Sequence, residues 1–386
     1  MTGVGSQGDG AGEGGEARRG ASEAWRAFAL VAHAADVLGL RPRRPSRRPR
    51  RALKTADEVF RATDRLEEAL WAANALAVAL ETGLLADLAS PLSAGEASGR
   101  TGLPAPVAEA VLDVLVGLGF ATREAGADAG GDVFRAGAGV QALLAGSVVS
   151  PGLGAALRAP LLQAEDFRRR AMEGTVGPEG WRFTDRGVVE AQGDLSAAMA
   201  EKALPKLRFL PGLVPALRKP GALLLDVGAG AAGVSLALCR RFPALRAVAL
   251  EPAPASAAVA RAKVAEAGLS DRVEVRAERI EHLSGGERFD LVFLPQMFLP
   301  DPVFGAAARN VFAALKPGGW LLAAVLGRRG ADSHSAVARL RTALWGGNLR
   351  DDAAVAGTLR VARFRPVIRS PGGDAVRVLC ARRPPA

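Results

Sequence analysis

Residues 223–233 read LLLDVGAGAAG. The apolar run before Gly228 is typical of a strand buried on both faces of a parallel sheet, because such strands show no polar alternation. Gly228 and Gly230 lack a Cβ, so the backbone can turn tightly there and approach a ligand. Gly233 then opens a predicted helix. The stretch therefore predicts a strand, a glycine-rich turn and a helix, the unit with which a doubly wound α/β fold begins.

An acid stands at the end of the next predicted strand. Val248–Leu250 is apolar and Glu251 follows it directly. A carboxylate at that place can accept both ribose hydroxyl protons of an adenosine-bearing cofactor. The glycine spacing alone fits NAD, FAD and S-adenosylmethionine alike. Asp226 favours S-adenosylmethionine, because an acid beside the first glycine would repel a pyrophosphate, whereas this cofactor has no phosphate and carries an ammonium.

Three further strands are predicted downstream, at Arg272–Ala277, at Phe289–Leu294 and at Leu315–Val325, the last of which begins with a Lys-Pro-Gly-Gly turn. Asp226, the three glycines, Glu251, Glu278, Asp290 and that turn form a combination that resembles the class I S-adenosylmethionine-dependent methyltransferases, over residues 205–383.

The resemblance implies an α/β fold with a doubly wound, seven-stranded, mostly parallel Rossmann-like sheet. Arg363–Arg369 and Ala375–Ala381, joined by a turn at residues 370–374, are predicted to complete the sheet, with the last strand antiparallel. One departure from the family is that glycine stands at position 233 and alanine at 232. A domain of this fold that has lost its cofactor is the alternative for the whole segment.

The resemblance also implies a cofactor pocket built from residues that follow the strands. Glu251 is expected to bind the ribose, Glu278 or its neighbouring amides to read the adenine, and Asp226 to order the methionine end. The full expected set is Asp226, Gly228, Gly230, Gly233, Glu251, Pro252, Glu278, Arg279, Pro295 and Gln296.

The net charge of +10 comes mostly from one segment. Residues 41–54 hold seven Arg, one Lys and no acid, which leaves about +2 for the rest of the 386-residue chain. With the glycine-rich start, this composition predicts a disordered basic tail over residues 1–55. A solvated tail and a tether to nucleic acid or another anionic surface are both compatible with it.

Residues 56–150 predict a small helical domain. Leu66–Leu88 and Val107–Leu118 have helical patterns, Ser93 and Glu96 form a capping-box pair, and Phe120–Arg123 can pair with Val133–Arg135 as a wing. The domain resembles the winged-helix N-terminal domain of small-molecule O-methyltransferases, which implies a homodimer formed through it. A DNA-binding winged helix is the competing interpretation. The absence of Lys and Arg between residues 101 and 122 argues against it.

Residues 151–204 predict a helical connector, with helices at Leu161–Met172 and Leu195–Leu207, and residues 205–386 predict the methyltransferase domain. In the resembled family such connecting helices line the substrate pocket. The residues expected to line it here are Trp181, Phe183, Met199 and Met297, with Phe209 as a further candidate.

A general base is harder to assign. O-methyltransferases of this architecture often carry a His just after the fourth strand, but residues 295–301 read PQMFLPD. His334, in a loop after the fifth predicted strand, is the candidate catalytic residue, and His282 suits packing better. A carboxylate base, an acceptor that needs no base, and catalysis by proximity alone all stay open.

Two cysteines, Cys239 and Cys380, predict no disulfide framework and suit a cytoplasmic protein. Three His in no cluster argue against a bound metal, and no apolar run reaches the length of a membrane span.

The sequence therefore predicts a two-domain S-adenosylmethionine-dependent enzyme that methylates a small molecule, with a hydroxyl acceptor expected. The alternatives are a cofactor-binding protein with another reaction or none, and a winged-helix regulator with a non-catalytic domain.

Overall fold

The computed structural model describes residues 52–126, 131–144, 149–176, 181, 183–283, 285–326, 333–369 and 376–386. The predicted basic tail up to residue 51, the tip of the predicted wing at 127–130 and the predicted turn at 370–374 lie outside these residues.

Contacts divide the described chain into two units, Ala52–Leu157 and Arg158–Ala386. They are called the first and second unit below. The division falls inside one long helix, Val149–Met172. The borders predicted from sequence at residues 55, 150 and 204 remain predictions about where independent domains begin.

The first unit is mainly helical. Its helices are α1 (Ala56–Glu81), α2 (Leu84–Asp87), α3 (Ala94–Thr101), α4 (Ala105–Gly117) and α5 (Ala138–Leu144). Its strands are β1 (Leu92–Ser93), β2 (Ala121–Glu124) and β3 (Val133–Ala136), in the order β1-β3-β2 with antiparallel pairing. The predicted pairing of two wing strands is confirmed, and β1 adds a third strand that the sequence did not suggest.

Local signals set the helix boundaries of the first unit. The Ser93–Glu96 capping box is confirmed at the start of α3. Thr55 and Glu58 form a second capping box, so α1 starts ten residues before the predicted Leu66. The prediction of one helix over Leu66–Leu88 is wrong at its end, because the chain breaks at Gly83, whose φ of 81° is left-handed.

The second unit holds the remaining elements. Its helices are α6 (Val149–Met172), which begins in the first unit, α7 (Arg186–Ala203), α8 (Leu213–Leu217), α9 (Gly233–Arg241), α10 (Pro254–Glu266), α11 (Asp301–Ala314), α12 (Ser333–Leu344) and α13 (Asp352–Val361). Its strands are β4 (Leu223–Val227), β5 (Arg246–Leu250), β6 (Val273–Arg276), β7 (Phe289–Pro295), β8 (Leu315–Leu326), β9 (Val367–Arg369) and β10 (Val376–Arg382).

The seven strands form one sheet in the order β6-β5-β4-β7-β8-β10-β9. The pairs from β6 to β8 are parallel, and β10 runs antiparallel to both β8 and β9. This confirms the predicted fold class. Alternate residues of the central strands enter two separate cores: Leu224 faces one, and Leu225 and Val227 face the other. Helices on both sides of the sheet explain why β4 is apolar throughout.

Three sequence predictions for the second unit need correction. The helix predicted at Leu161–Met172 starts at Val149, and the one predicted at Leu195–Leu207 is α7 followed by a 3-10 turn, Leu204–Phe209. The strand predicted at Arg363–Arg369 is shorter in the structure, where β9 spans only Val367–Arg369. Arg363 itself has a left-handed φ of 75°, which is incompatible with a strand.

Candidate functional site

The site lies at the edge of the sheet where β4, β5 and β7 end. These strands are parallel, so the segments that follow Val227, Leu250 and Pro295 emerge side by side. In the sheet, β5 lies on one side of β4 and β7 lies on the other. This is the switch in strand order at which open α/β sheets bind their ligands.

The glycine-rich turn between β4 and α9 leaves room for a ligand. Gly228 and Gly230 have left-handed φ values of 64° and 56°, and a Cβ at either position would meet no heavy atom within 4 Å. The turn is fixed to the neighbouring strand by the Ala229 amide, which donates to the Leu250 carbonyl at 2.9 Å. The turn, hydrogen-bonded to β5, thus presents backbone without side chains toward open space.

Glu251 connects this turn to the end of β5. Its Oε2 accepts from the Gly230 amide at 2.8 Å and its Oε1 from the Ala253 amide at 2.9 Å. The side chain is buried, and this loss of solvent raises the pKa of the carboxyl to about 6, although the two amides oppose the shift. Each carboxylate oxygen keeps a free lone pair, so the group can still accept hydrogen bonds from a ligand.

Asp226 is more deeply buried, with 1% of its surface exposed. Its Oδ2 accepts from the Ser235 amide at 3.1 Å and from the Ser235 hydroxyl at 2.7 Å. Burial raises the pKa of Asp226 to about 6, and its charge in turn helps to raise the pKa of Glu251. Asp226 therefore joins the end of β4 to the first turn of α9, where a helix N-terminus favours an anion.

The other glycine of the motif has a packing role in the structure. A Cβ on Gly233 would lie 2.0 Å from the Gly193 carbonyl oxygen of α7. The position before it, Ala232, is buried and has a left-handed φ of 61°. The family's glycine at that place is thus explained by backbone conformation, and alanine occupies it at a cost of about 1–2 kcal/mol.

The remaining predicted cofactor residues divide by burial. Pro295 and Gln296 are buried at the end of β7, whereas Pro252 is exposed and Glu278 is half-buried. Arg279 is exposed and pairs with Glu281 at 3.2 Å. Pro295 is the last residue of β7, and the other four follow the carboxyl ends of β5, β6 and β7. Their contacts with a cofactor remain predictions.

Aromatic side chains gather beyond β7 and β8. The ring cluster consists of Trp181, Phe183, Phe298 and Trp345. Trp181 lies 4.6 Å from Phe183 and 5.6 Å from Phe298, and Phe298 lies 4.8 Å from Trp345, measured between ring centroids. Met297 packs in the same core.

The structure therefore brings together three of the four predicted lining residues, Trp181, Phe183 and Met297. Met199 is 37% exposed on α7 and Phe209 is 63% exposed, and neither joins the cluster. Phe298 and Trp345 were not predicted. They have no motif of their own, and only their position after β7 and at the end of α12 brings them here.

A buried arginine fixes the turn after β7. The Arg350 guanidinium donates to the carbonyl of Gln296 at 3.0 Å, to the Gln296 side-chain oxygen at 3.0 Å and to the Leu299 carbonyl at 3.1 Å. It also pairs with Asp301. Sequence reasoning did not find Arg350, which lies about 50 residues downstream of the turn that it holds.

The structure supplies no base at the position where the resembled family carries its His. Residues 296–298 form a 3-10 turn, and Met297 is buried there. Asp301 is already paired with Arg350 and accepts from Asn348. His282 is exposed in another 3-10 turn. His334 is the second residue of α12 and not part of a loop, and its side chain lies outside the described residues.

In the first unit, the acids of α4 are held by one arginine of β2. Arg123 pairs with Glu109 at 3.7 Å, with Asp113 at 2.8 Å and with Asp132. Its guanidinium also lies over the Phe134 ring, 5.4 Å from the centroid. The helix that would enter a DNA groove thus presents carboxylates, and the nearby cation is engaged by them.

Sequence comparison matches part of the second unit to a known family. The sequence profile of a family described as "Methyltransferase domain" matches residues 224–319. The ubiquinone biosynthesis O-methyltransferase of Methylobacterium sp. (strain 4-46) is 36% identical over 109 residues, which cover 28% of this chain and 42% of that protein. The tRNA1(Val) (adenine(37)-N6)-methyltransferase of Porphyromonas gingivalis (strain ATCC BAA-308 / W83) is 35% identical over 88 residues, covering 20% and 34% respectively. The match thus spans about two fifths of the length of the first of these relatives and a third of the second.

The fold is shared over a longer stretch. The crystal structure of human N-acetylserotonin methyltransferase in complex with S-adenosylmethionine superimposes with a TM-score of 0.58, at 16% identity, over 86% of this chain and 100% of that one. The second unit has the fold of the class I S-adenosylmethionine-dependent methyltransferases, and residues 224–319 match the methyltransferase-domain profile. The resemblance predicted from the glycine turn, the acids and the strand order is confirmed in the fold and in the profile match.

Proposed function

We propose that this protein transfers the methyl group of S-adenosylmethionine to a hydroxyl group of a small molecule by in-line displacement. The observation that carries the proposal is the position of Glu251. Its carboxylate ends β5, is held by the amide of Gly230 at 2.8 Å and keeps lone pairs for a ligand. This arrangement suits a ribose beside a glycine turn that has no phosphate to bind.

The residues present fit the cofactor. Open space above Gly228 and Gly230 admits it, Glu251 would accept from the ribose hydroxyls, and Glu278 or amides near it would contact the adenine. Asp226 would favour the ammonium of the methionine end through its charge. The sulfonium supplies an activated methyl group when bound.

The protein's own contribution to transfer is alignment and exclusion of water. The ring cluster packs against the ends of β8 and the turn after β7, on the strands next to those that carry the glycine turn. A flat acceptor held there would lie at the same edge of the sheet as the cofactor. The turn after β7, which carries Met297, holds no residue that could act as a base. We therefore propose that the acceptor hydroxyl is already ionised or loses its proton to water. His334 remains the candidate if a base takes part.

The names of two similar proteins and the charge of helix α4 favour a small-molecule acceptor. The human structure that shares 86% of this chain's length is an N-acetylserotonin methyltransferase, and one sequence relative is a ubiquinone biosynthesis O-methyltransferase. A tRNA would need a basic surface, whereas the helix α4 carries acids that are paired with Arg123. The hydroxyl acceptor, the residue roles and the mechanism are proposals that rest on these likenesses and on the site.

We also propose a homodimer formed through the first unit. Helix α1 buries Ala72, Leu76 and Ala79 on one side and exposes large apolar residues on the other. Those exposed are Val59, Phe60, Leu66, Leu70 and Trp71, between 49% and 69% exposed. Large apolar side chains exposed together on one helix are typical of an interaction site.

Residence in the cytoplasm is a proposal as well. Cys239 and Cys380 are both buried and unpaired, which suits a reducing compartment. Among the described residues, no helix has the length and apolar character needed to cross a membrane.

Methyl transfer from S-adenosylmethionine labelled at the methyl group tests the proposal. The protein would be incubated with a panel of phenols and aliphatic alcohols and, separately, with bulk tRNA. Label in a small-molecule ether supports the proposal. Label in tRNA alone, or in an amine or carbon position alone, would contradict the proposed acceptor.

A further inference from the structure

Three buried nitrogen donors around the ring cluster have no hydrogen-bond partner in the described chain. They are Nη2 of Arg170, Nε1 of Trp181 and Nε2 of Gln296. A fourth unpartnered atom, the Ser256 hydroxyl oxygen, belongs to α10 and not to this cluster. Buried polar groups in folded proteins are nearly always paired, so three such donors in one region require an explanation.

Each of the three donors adjoins the rings. The Arg170 guanidinium lies over Phe183, 4.7 Å from the ring centroid. Trp181 is itself a member of the cluster. Gln296 begins the 3-10 turn that carries Met297 and Phe298, and it is completely buried. All three atoms can only donate, so the group that would satisfy them must present acceptors.

A cation stands at the other end of the ring cluster. The Arg341 guanidinium lies over Trp345, 4.9 Å from the ring centroid. The side chain is partly exposed, so a solute can reach it. No carboxylate of the described chain pairs with it. Burial alone holds the pKa of Arg341 below its ordinary value.

Arg170 and Arg350, the buried arginines of this region, differ from Arg341 because each pairs with a carboxylate. Arg170 is balanced by Asp166, whose Oδ2 accepts from Nε at 2.6 Å. Arg350 is balanced by Asp301 and by backbone carbonyls. Arg341 has a ring face, which attracts a cation, but no oxygen of the described residues accepts from its N–H groups. Within the part of the chain that the structure describes, no carboxylate therefore balances this positive charge.

We propose that the ring cluster binds a methyl acceptor that is flat and negatively charged, with its anionic group on Arg341 and its other oxygen atoms on the donors of Trp181 and Gln296. The inference rests on the proposed function and names its substrate class. An aromatic hydroxy acid has the required features: a planar body for the rings, a carboxylate for the guanidinium and oxygens that accept hydrogen bonds. Arg341 is a specificity-determining residue in this account.

Other acceptor chemistries fit the observations less well. A cationic acceptor would meet the uncompensated charge of Arg341 and be repelled. A neutral hydrocarbon would fill the ring cluster but leave three buried donors without partners, each at an energetic cost. An anion offers a charge-assisted hydrogen bond that adds affinity and selects the orientation of the ring plane.

The test uses a matched pair of probes, 3-hydroxy-2-naphthoate and its neutral carboxamide, titrated into the full-length protein by calorimetry with S-adenosylmethionine present. We expect the wild type to bind the carboxylate at least tenfold more tightly than the carboxamide. Arg341→Gln should lose this preference, because only its affinity for the carboxylate probe should fall. Arg341→Lys should keep part of it.

Arg339→Gln is the matched control, because it removes the same charge from an exposed position of α12, and it should keep the preference. Titration of every variant with S-adenosylmethionine alone separates the two proposals. Failure of the wild type to bind S-adenosylmethionine would contradict the proposed function. Normal cofactor binding with no carboxylate preference in the wild type, including failure of both probes to bind, would overturn the inference about Arg341, as would a preference that survives in Arg341→Gln.

Discussion

Gly193 of α7 and Gly233 of α9 bring two helices into backbone contact. A Cβ on Gly233 would lie 2.0 Å from the Gly193 carbonyl oxygen, and a Cβ on Gly193 would lie 2.5 Å from the Cβ of Ala231. Helix α7 is thus packed directly on the glycine-rich turn. This contact fixes the first turn of α9, whose Ser235 holds Asp226.

Substitution of either glycine should therefore destabilise the second unit. We expect Gly233→Ala and Gly193→Ala each to lower the free energy of unfolding by about 3 kcal/mol or more, because the neighbouring atoms are backbone or a buried Cβ and cannot move aside cheaply. Urea denaturation would measure the loss.

Gly357 provides the control for this prediction. It lies in α13, and a Cβ there would meet no atom within 4 Å. Gly357→Ala should raise stability by about 0.5–1 kcal/mol through helix propensity. If all three variants behaved alike, the close contact between α7 and α9 would be absent in solution.

Stability and cofactor affinity should respond to pH in opposite directions. Burial raises the pKa of Glu251 from 4.5 to about 6, so the folded state binds a proton more tightly than the unfolded state. Its contribution to stability is full below pH 4.5 and is lost as pH rises through 6. Lowering pH from 7.5 to 5 should stabilise the ligand-free wild type relative to Glu251→Gln by about 1–2 kcal/mol.

Binding of S-adenosylmethionine should weaken over the same range, because a protonated carboxyl is a poorer acceptor for ribose hydroxyls. Denaturation curves and calorimetric titrations at the two pH values would measure both effects. Parallel pH dependence of wild type and Glu251→Gln would show that Glu251 does not titrate as described.

Arg350 should matter for the acceptor, because it holds the turn that carries Gln296, Met297 and Phe298. Arg350→Met keeps the apolar stem but leaves the carbonyls of Gln296 and Leu299 without their donor. We expect a stability loss of about 2–4 kcal/mol and a higher KM for the acceptor. The exposed Arg360 of α13 supplies the control Arg360→Met, which should change stability by no more than about 0.5 kcal/mol. Equal losses in the two variants would contradict this role.

The apolar face of α1 should control assembly. Leu66 and Trp71 are 67% and 69% exposed, so replacing both with Ser costs the monomer little buried contact. We expect the wild type to be a dimer by light scattering and Leu66→Ser/Trp71→Ser to be a monomer. Val361→Ser, which alters an 81% exposed residue of α13, should remain dimeric. A monomeric wild type would defeat the prediction.

The sequence was most informative where short-range chemistry decides the outcome. The strand β4, the turn at Gly228 and Gly230 and the acid Glu251 could all be predicted, since a buried parallel strand and a glycine turn have strong local patterns. The capping box at Ser93 is another such case. The Thr55–Glu58 box was present in the sequence and would have given the true start of α1.

The ring cluster could not be predicted in full, because its members come from distant parts of the chain. Trp345 meets Phe298 only through the fold, and Arg350 finds Gln296 in the same way. The packing role of Gly233 was also hidden, since its partner Gly193 lies in a different helix. Tertiary contacts of this kind leave no periodic signal.

The central claim is that Glu251 binds the ribose of S-adenosylmethionine, and titration calorimetry of wild type and Glu251→Ala tests it most directly. The wild type should bind S-adenosylmethionine and not NAD, and Glu251→Ala should bind S-adenosylmethionine at least tenfold more weakly, because hydrogen bonds to a buried carboxylate are lost. Circular dichroism of both proteins would verify that the fold is retained. An unchanged affinity in a folded Glu251→Ala variant would contradict the assignment of this pocket.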